Sequence, residues 1–228
     1  MENKIVVITG GSRGLGKAMA EIFASKKAKV ILSDRDSEEL EKVSKEIHTL
    51  PVVADVTKED EMFKLAQSAV FQFGKIDIWI NNAGVWLPRA PIEEVDMKRA
   101  HDLFEVNVFG TIYGSRAALG QMKKQGYGTI INIISRSALG PRPNSAIYSA
   151  SKHAAKGFTD ALRGELEDKG ILVIGIFPSG IKTNLFLEQR PEEFGDFMSP
   201  ESVAEKIVEN LEKAKPEIEM LIERPGQP

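Results

Sequence analysis

Thr9-Gly10-Gly11-Ser12-Arg13-Gly14-Leu15-Gly16 is the stretch on which the fold of this chain turns. It follows the apolar run Ile5-Val6-Val7-Ile8 and leads into residues 15–24, where apolar side chains recur at three- and four-residue spacing. An apolar β-branched run, a glycine-rich turn and an amphipathic helix in that order make a strand–turn–helix unit. Glycine permits the sharp turn, and the amides at the positive end of the helix can then meet a pyrophosphate. A side chain at Gly14 or Gly16 is expected to obstruct that approach. Gly10, Ser12, Arg13, Gly14, Leu15 and Gly16 are therefore the first candidate contacts to a dinucleotide.

The same alternation continues along the chain. Residues 5–9, 30–33, 51–54, 76–80, 129–134 and 171–177 read as strands, most of them apolar without alternation, as strands covered on both faces are. Residues 15–24, 38–47, 59–73, 97–123 and 146–168 carry the period of crossover helices. Ser199-Pro200-Glu201 starts a further helix through Leu211, with serine as cap and proline in the first turn. Residues 218–222 read as a last strand, and their flanking glutamates place it at an edge. The series predicts an α/β fold: a Rossmann-type, doubly wound parallel sheet in three α/β/α layers, one domain over residues 1–228. The least regular stretches, 85–95, 137–145 and 184–198, follow strands and are expected to ring one pocket beyond the sheet's carboxyl edge.

Composition narrows the function. The 228 residues are 42% hydrophobic and 28% charged, with a net charge of −3, so no basic stripe proposes a nucleic acid and no polybasic segment proposes a membrane surface. There is no cysteine, which removes disulfides, thiolate metal sites and thiol nucleophiles and leaves redox chemistry to a bound cofactor. The opening run is too short for a signal peptide, and no apolar stretch has the length of a membrane span. The expectation is a cytoplasmic protein with a small-molecule substrate and no metal.

The second strand ends at Asp34, about twenty residues beyond the glycine turn, where a carboxylate can accept hydrogen bonds from ribose hydroxyls. That favours NAD. Arg35 and Arg13 could instead grip a 2′-phosphate, which would make NADP the cofactor. The carboxylate, which repels a phosphate at that position, tips the balance to NAD.

Tyr148-Ser149-Ala150-Ser151-Lys152 places a phenol and an ammonium four residues apart, on one face of a helix. A free phenol has a pKa of about 10, and an adjacent ammonium is expected to draw it toward neutrality. With these motifs the chain resembles the short-chain dehydrogenase/reductase superfamily, in its single-domain branch, from Lys4 to Lys213. The glycine turn matches, as does Asp55-Val56 after the third strand, where the family contacts adenine. Asn81-Asn82-Ala83-Gly84 ends the fourth strand, and Asn82, Ala83 and Gly84 fall on cofactor-contact positions. The active-site asparagine matches Asn107, and the serine, thirteen residues before the tyrosine, matches Ser135.

The resemblance implies a catalytic tetrad of Asn107, Ser135, Tyr148 and Lys152. Tyr148 would be the acid or base, Ser135 would bond the same substrate oxygen, Lys152 would also hold the nicotinamide ribose, and Asn107 would support a water linking Lys152 to solvent. Pro178, Ser179, Ile181 and Thr183 fall where the family meets the nicotinamide, with Ser179 replacing the usual glycine and expected to tighten the turn. Residues 184–198 resemble the family's substrate lid, and Leu185, Phe186, Leu187, Phe194, Phe197 and Met198 in it suggest a mainly apolar carbonyl or alcohol. The resemblance also implies a homodimer or homotetramer. A cofactor-sensing protein of the same fold without turnover is the competing reading.

Overall fold

The computed structural model describes residues 1–140 and 142–224; Pro141, in the expected loop 137–145, and residues 225–228 of the expected domain lie outside the described residues. Seven parallel strands are described: β1 (Ile5–Thr9), β2 (Lys29–Asp34), β3 (Leu50–Val53), β4 (Ile78–Asn81), β5 (Gly128–Ile133), β6 (Ile171–Pro178) and β7 (Glu219–Ile222). Their order is β3-β2-β1-β4-β5-β6-β7, with β7 at an edge as its glutamates suggested. The helices between them are α1 (Gly14–Ser25), α2 (Ser37–Ile47), α3 (Glu59–Phe73), α4 (Met97–Phe104), α5 (Gly110–Gln125), α6 (Ala146–Glu165) and α7 (Pro200–Glu212). Strand order reverses at β1 and β4, so a crevice opens there beyond the carboxyl ends.

Alternation within β1 builds both sides of the molecule. Val6 and Ile8 pack with Met19, Phe23, Val203 and Ile207 of α1 and α7. Ile5 and Val7 point the other way, against Met62, Leu65, Ala118 and Met122 of α3 and α5. Each fully buried side chain of this size contributes roughly 1.5–3 kcal/mol relative to exposure, which is why strands with two covered faces dispense with polar positions. Short polar signals end the helices. Asp36 caps α2 by accepting from the Glu39 amide, Ser199 caps α7 by accepting from Ser202, and Gly74 and Gly126 close α3 and α5 at φ 78° and 74°.

Three boundaries differ from expectation by two residues or more. The fourth strand starts at Ile78 rather than residue 76, because Asp77 turns its carboxylate onto the Ile5 amide at 2.8 Å. The helix expected over 97–123 runs to Gln125 and is interrupted by a π-helical turn, Glu105–Phe109, in which the Gly110 amide reaches the Glu105 carbonyl. The helix expected to reach residue 168 stops at Glu165, since Asp168 (φ 64°) and Gly170 (φ 71°) turn the chain into β6.

Candidate active site

The glycine turn and the segment after β4 hold each other. Thr9 Oγ1 accepts from the amides of Asn82 (3.1 Å) and Ala83 (3.2 Å), and the Asn82 side-chain amide donates to the carbonyls of Thr9 (3.0 Å) and Gly10 (2.9 Å). Gly10 has φ 61°, and a Cβ on it would lie 2.8 Å from the Ala83 Cα. The Asn82 amide is thus spent on the turn itself, while its residue still borders the cleft with Ala83 and Gly84. Gly16 is outside the cleft, and a Cβ there would collide with the Gly10 carbonyl oxygen and approach Asn82 Nδ2 to 2.7 Å. Its lack of a side chain serves the packing of the turn. Gly14, at φ 53°, does border the cleft with Leu15, and the Thr183 methyl would be 3.0 Å from its Cβ.

At the other side of the turn, Asp34 is fixed. Its carboxylate accepts from the Ser12 hydroxyl at 2.6 Å, from the Ser12 amide at 3.3 Å and from the Asp36 amide at 3.3 Å. Ser12 is buried and away from the cleft, so it orients Asp34. Arg13 is held by Asp36 at 2.5 Å, a pairing that the sequence did not suggest. Asp36 carries a lowered pKa because it accepts from Glu39 and then from Arg13. Arg35, Asp55 and Val56 complete this end of the cleft. Asp55 accepts from the Thr57 amide at 2.9 Å, and Val56 packs where a Cβ on Gly110 would come within 2.9 Å.

The catalytic candidates gather at the ends of β4 and β5. Ser135, Tyr148 and Lys152 border the same cleft as Pro178, Ser179, Ile181 and Thr183. Lys152 is buried, donates to the Ile133 carbonyl at 3.4 Å, and lies 5.8 Å from the centroid of the Tyr148 ring. Burial pushes its pKa down to about 8. Burial raises the Tyr148 phenol, with the hydrogen bond to Ser135 opposing the rise. The acidified phenol expected from the sequence is therefore not found, because desolvation of the phenolate outweighs what stabilises it.

Asn107 is buried in the π-helical turn and does not border the cleft. Its side chain accepts from the Val85 amide at 2.9 Å and donates to the Val85 carbonyl at 2.9 Å and to Ser151 Oγ at 3.2 Å. The amide thus locks the chain leaving β4 onto the helix that carries Tyr148 and Lys152. Sequence spacing also missed a buried relay behind it, in which Asn81 bonds Trp79, Ser115 and Asn132, and Asn132 bonds Thr159.

The lid expected over 184–198 is two short 3-10 turns, Asn184–Phe186 and Glu192–Asp196. Trp86 and Phe186 (5.1 Å) and Phe186 and Phe197 (5.3 Å) form an aromatic wall. Arg99 of α4 and Arg89 pin the lid through Glu188 and Glu193. Met198 belongs to the core, Phe197 is buried yet borders the cleft, and Leu185, Phe186 and Leu187 face the cleft beside it.

A dinucleotide fits these residues. The cleft of about 580 Å³ runs from Asp34 to Tyr148. The first turn of α1 has neither a side-chain cap nor an acidic residue, unlike α2, leaving its amides for a ligand's phosphates. Among the described residues no helix is long and apolar enough to cross a membrane, and no cluster of three His, Cys, Asp or Glu could hold a metal ion.

The comparisons agree with this geometry. The family model described as short chain dehydrogenase matches residues 4–193. An uncharacterized oxidoreductase of Staphylococcus saprophyticus is 37% identical over 191 residues, 81% of each chain. A diacetyl reductase, (S)-acetoin forming, of Staphylococcus epidermidis is 36% identical over 81% of this chain and 74% of its own. The structure of a 3-ketoacyl-(acyl-carrier-protein) reductase of Brucella melitensis, complexed with NADH, is 31% identical and superposes with a TM-score of 0.90 over 97% of this chain and 96% of that one. The chain belongs to the short-chain dehydrogenase family, as an oxidoreductase that transfers hydride with NAD(P)(H).

Proposed function

We propose that the chain exchanges hydride between NAD(H) and a mainly apolar carbonyl or alcohol, with Tyr148 as the general acid in reduction and the base in oxidation. One observation carries this reading: phenol, hydroxyl and ammonium of Tyr148, Ser135 and Lys152 converge on one cleft, the phenol kept protonated by burial. At pH 7 a phenol above its usual pKa and a lysine near 8 are both loaded with protons. Tyr148 then delivers a proton to the carbonyl oxygen, Ser135 donates to the same oxygen as charge develops, and Lys152 orients the ribose and resupplies Tyr148. The nicotinamide ring supplies or accepts the hydride. Asn107 acts by holding Val85 and the α6 segment in register rather than by touching the substrate.

The preference for NAD rests on Asp34, held in place by Ser12, and on Asp36, which occupies Arg13. The reading includes one domain over 1–228, a cytoplasmic location and a homodimer or homotetramer, to be tested by cell fractionation and light scattering. No observation favours the sensor without turnover. The deciding experiment follows absorbance of the reduced nicotinamide with a panel of ketones, aldehydes and diketones. Turnover of any of them supports the reading, and none with either cofactor overturns it.

A further inference from the structure

Four guanidinium groups border the cleft beside its aromatic wall: Arg89, Arg136, Arg142 and Arg224. Carboxylates answer two of them, Glu193 with Arg89 at 2.7 Å and Glu223 with Arg136 at 3.1 Å. Among the described residues no carboxylate pairs with Arg142 or Arg224. Arg224 Nε is buried without a hydrogen-bond partner, and its guanidinium lies 5.5 Å from the centroid of the Phe197 ring. Arg142 has a lowered pKa, caused first by burial and then by the charges of Arg136 and Arg89. Like charges held together in a partly desolvated cleft cost free energy unless an anion joins them.

The position of Arg224 is built. Its backbone amide donates to Ser179 Oγ at 3.1 Å, and the same hydroxyl donates to the Ile222 carbonyl at 3.3 Å. Ser179, the departure from the family's glycine, therefore ties the second residue after β7 to the turn that follows β6. Arg136 is the next residue after Ser135, so the cluster is at the substrate end. The phosphates of a dinucleotide are met elsewhere, by the uncapped start of α1.

We infer that the substrate carries an oxyanion, a carboxylate or a phosphate, which binds between Arg142 and Arg224 while its apolar body lies along Trp86, Phe186 and Phe197. The inference rests on the carbonyl chemistry proposed above and names the substrate class. Guanidinium groups suit this task because they meet planar or tetrahedral oxyanions with paired, charge-assisted hydrogen bonds.

The test compares oxo acids, with the carbonyl one to four carbons from the carboxylate, against their neutral methyl esters, and dihydroxyacetone phosphate against dihydroxyacetone. Wild type is expected to favour at least one anion over its neutral partner by about tenfold or more in kcat/KM. Arg142→Gln and, separately, Arg224→Gln should collapse that ratio toward unity, and Arg142→Lys should restore part of it. Preference for a carboxylate assigns that source, and preference for a phosphate assigns the other. Neutral compounds used as well as their anions, with ratios unmoved by both substitutions, overturn the oxyanion site and leave the carbonyl reading standing. If no compound is turned over, the carbonyl reading fails for this panel, and calorimetric titration of pentanedioate and inorganic phosphate into the NADH-bound protein decides the site. Binding lost in Arg142→Gln supports it, and absence of binding overturns it.

Discussion

Lys152 Nζ lies 5.8 Å from the centre of the Tyr148 ring, so the ammonium flanks the ring while its hydrogen bond goes to the Ile133 carbonyl. Of the two groups, Lys152 is the one in the working range: burial lowers it to about 8 and raises the phenol. The kcat/KM for carbonyl reduction should fall above about pH 8 as Lys152 loses its proton, and Lys152→Arg should move that limb upward. An unchanged limb in the arginine variant would remove Lys152 as its source. The sign for stability follows from linkage. A lysine whose folded pKa is below its unfolded 10.5 binds its proton better when unfolded, so it weakens the fold below pH 8 and does so less as pH rises toward 10.5. Wild type should therefore gain on Lys152→Met across that window, by up to about 3 kcal/mol.

Tyr148→Phe removes one hydroxyl from the cleft and leaves the ring. Reduction should slow by about 10²–10⁴, with the dissociation constant for NADH unchanged by fluorescence titration. Ser135→Ala, which deletes the bond that opposes the rise of the phenol, should cost about 10²–10³ in kcat. A near-normal turnover rate in the phenylalanine variant would take the proton transfer away from Tyr148.

Cofactor choice can be tested without touching the turn. Like charge against a 2′-phosphate costs several kcal/mol when the two are close, so Asp34 should make NADH better than NADPH by about tenfold or more in kcat/KM. Asp36→Asn keeps a good cap for α2, since asparagine caps as well as aspartate, yet frees Arg13 from its ion pair. That variant should gain efficiency with NADPH and little with NADH. A wild-type preference for NADPH would show that Arg13 and Arg35 outweigh Asp34.

What the sequence made legible was whatever repeats locally. Apolar runs located the strands because both faces of β1 and β4 are covered, and the glycine turn and Tyr148-x-x-x-Lys152 sit within single elements. What it hid depends on residues brought together by the sheet. The π-helical turn at Asn107 has no period of its own and is fastened by Val85, twenty-two residues away. Arg89, Arg136, Arg142 and Arg224 come from three stretches of chain, Arg136 and Arg142 sharing the one between β5 and α6, and no spacing announces their convergence. Ser179 stood out as a departure, but its partners at 222 and 224 exist only because β6 pairs with β7. Gly16 was legible as necessary, but the Gly10 carbonyl that a side chain there would strike was not.

Two glycines of α5 separate packing from propensity. A Cβ on Gly114 would collide with Asn81 Oδ1 and come within 2.9 Å of Trp79 Nε1, prying apart a buried bond of 2.8 Å. Gly114→Ala should cost about 2–4 kcal/mol. Nothing lies within 4 Å of a Cβ on Gly120, so Gly120→Ala should be neutral or stabilise by up to about 1 kcal/mol. Urea unfolding of both variants gives the comparison, and equal stability would mean that the α5–β4 contact is looser than described.

Acid stability should trace to Asp77. Burial raises its pKa, but the Ile5 amide (2.8 Å), Lys75 (2.9 Å) and Lys4 (3.2 Å) together outweigh burial and leave it below 3.8. A carboxyl with a depressed folded pKa contributes stability that is complete above the unfolded value and is lost as pH falls through the folded one. Asn in its place keeps one acceptor for Ile5 and loses the charge that both lysines face. The side chains of Lys4 and Lys75 are 48% and 37% exposed, so solvent screens much of the pairing. Asp77→Asn should therefore cost about 1–2 kcal/mol at pH 7, and the gap should close as pH falls below 3.8, where the wild-type carboxyl is itself neutralised. A gap that stays constant down to pH 2 would assign the loss to packing at the start of β4 instead of to the charge.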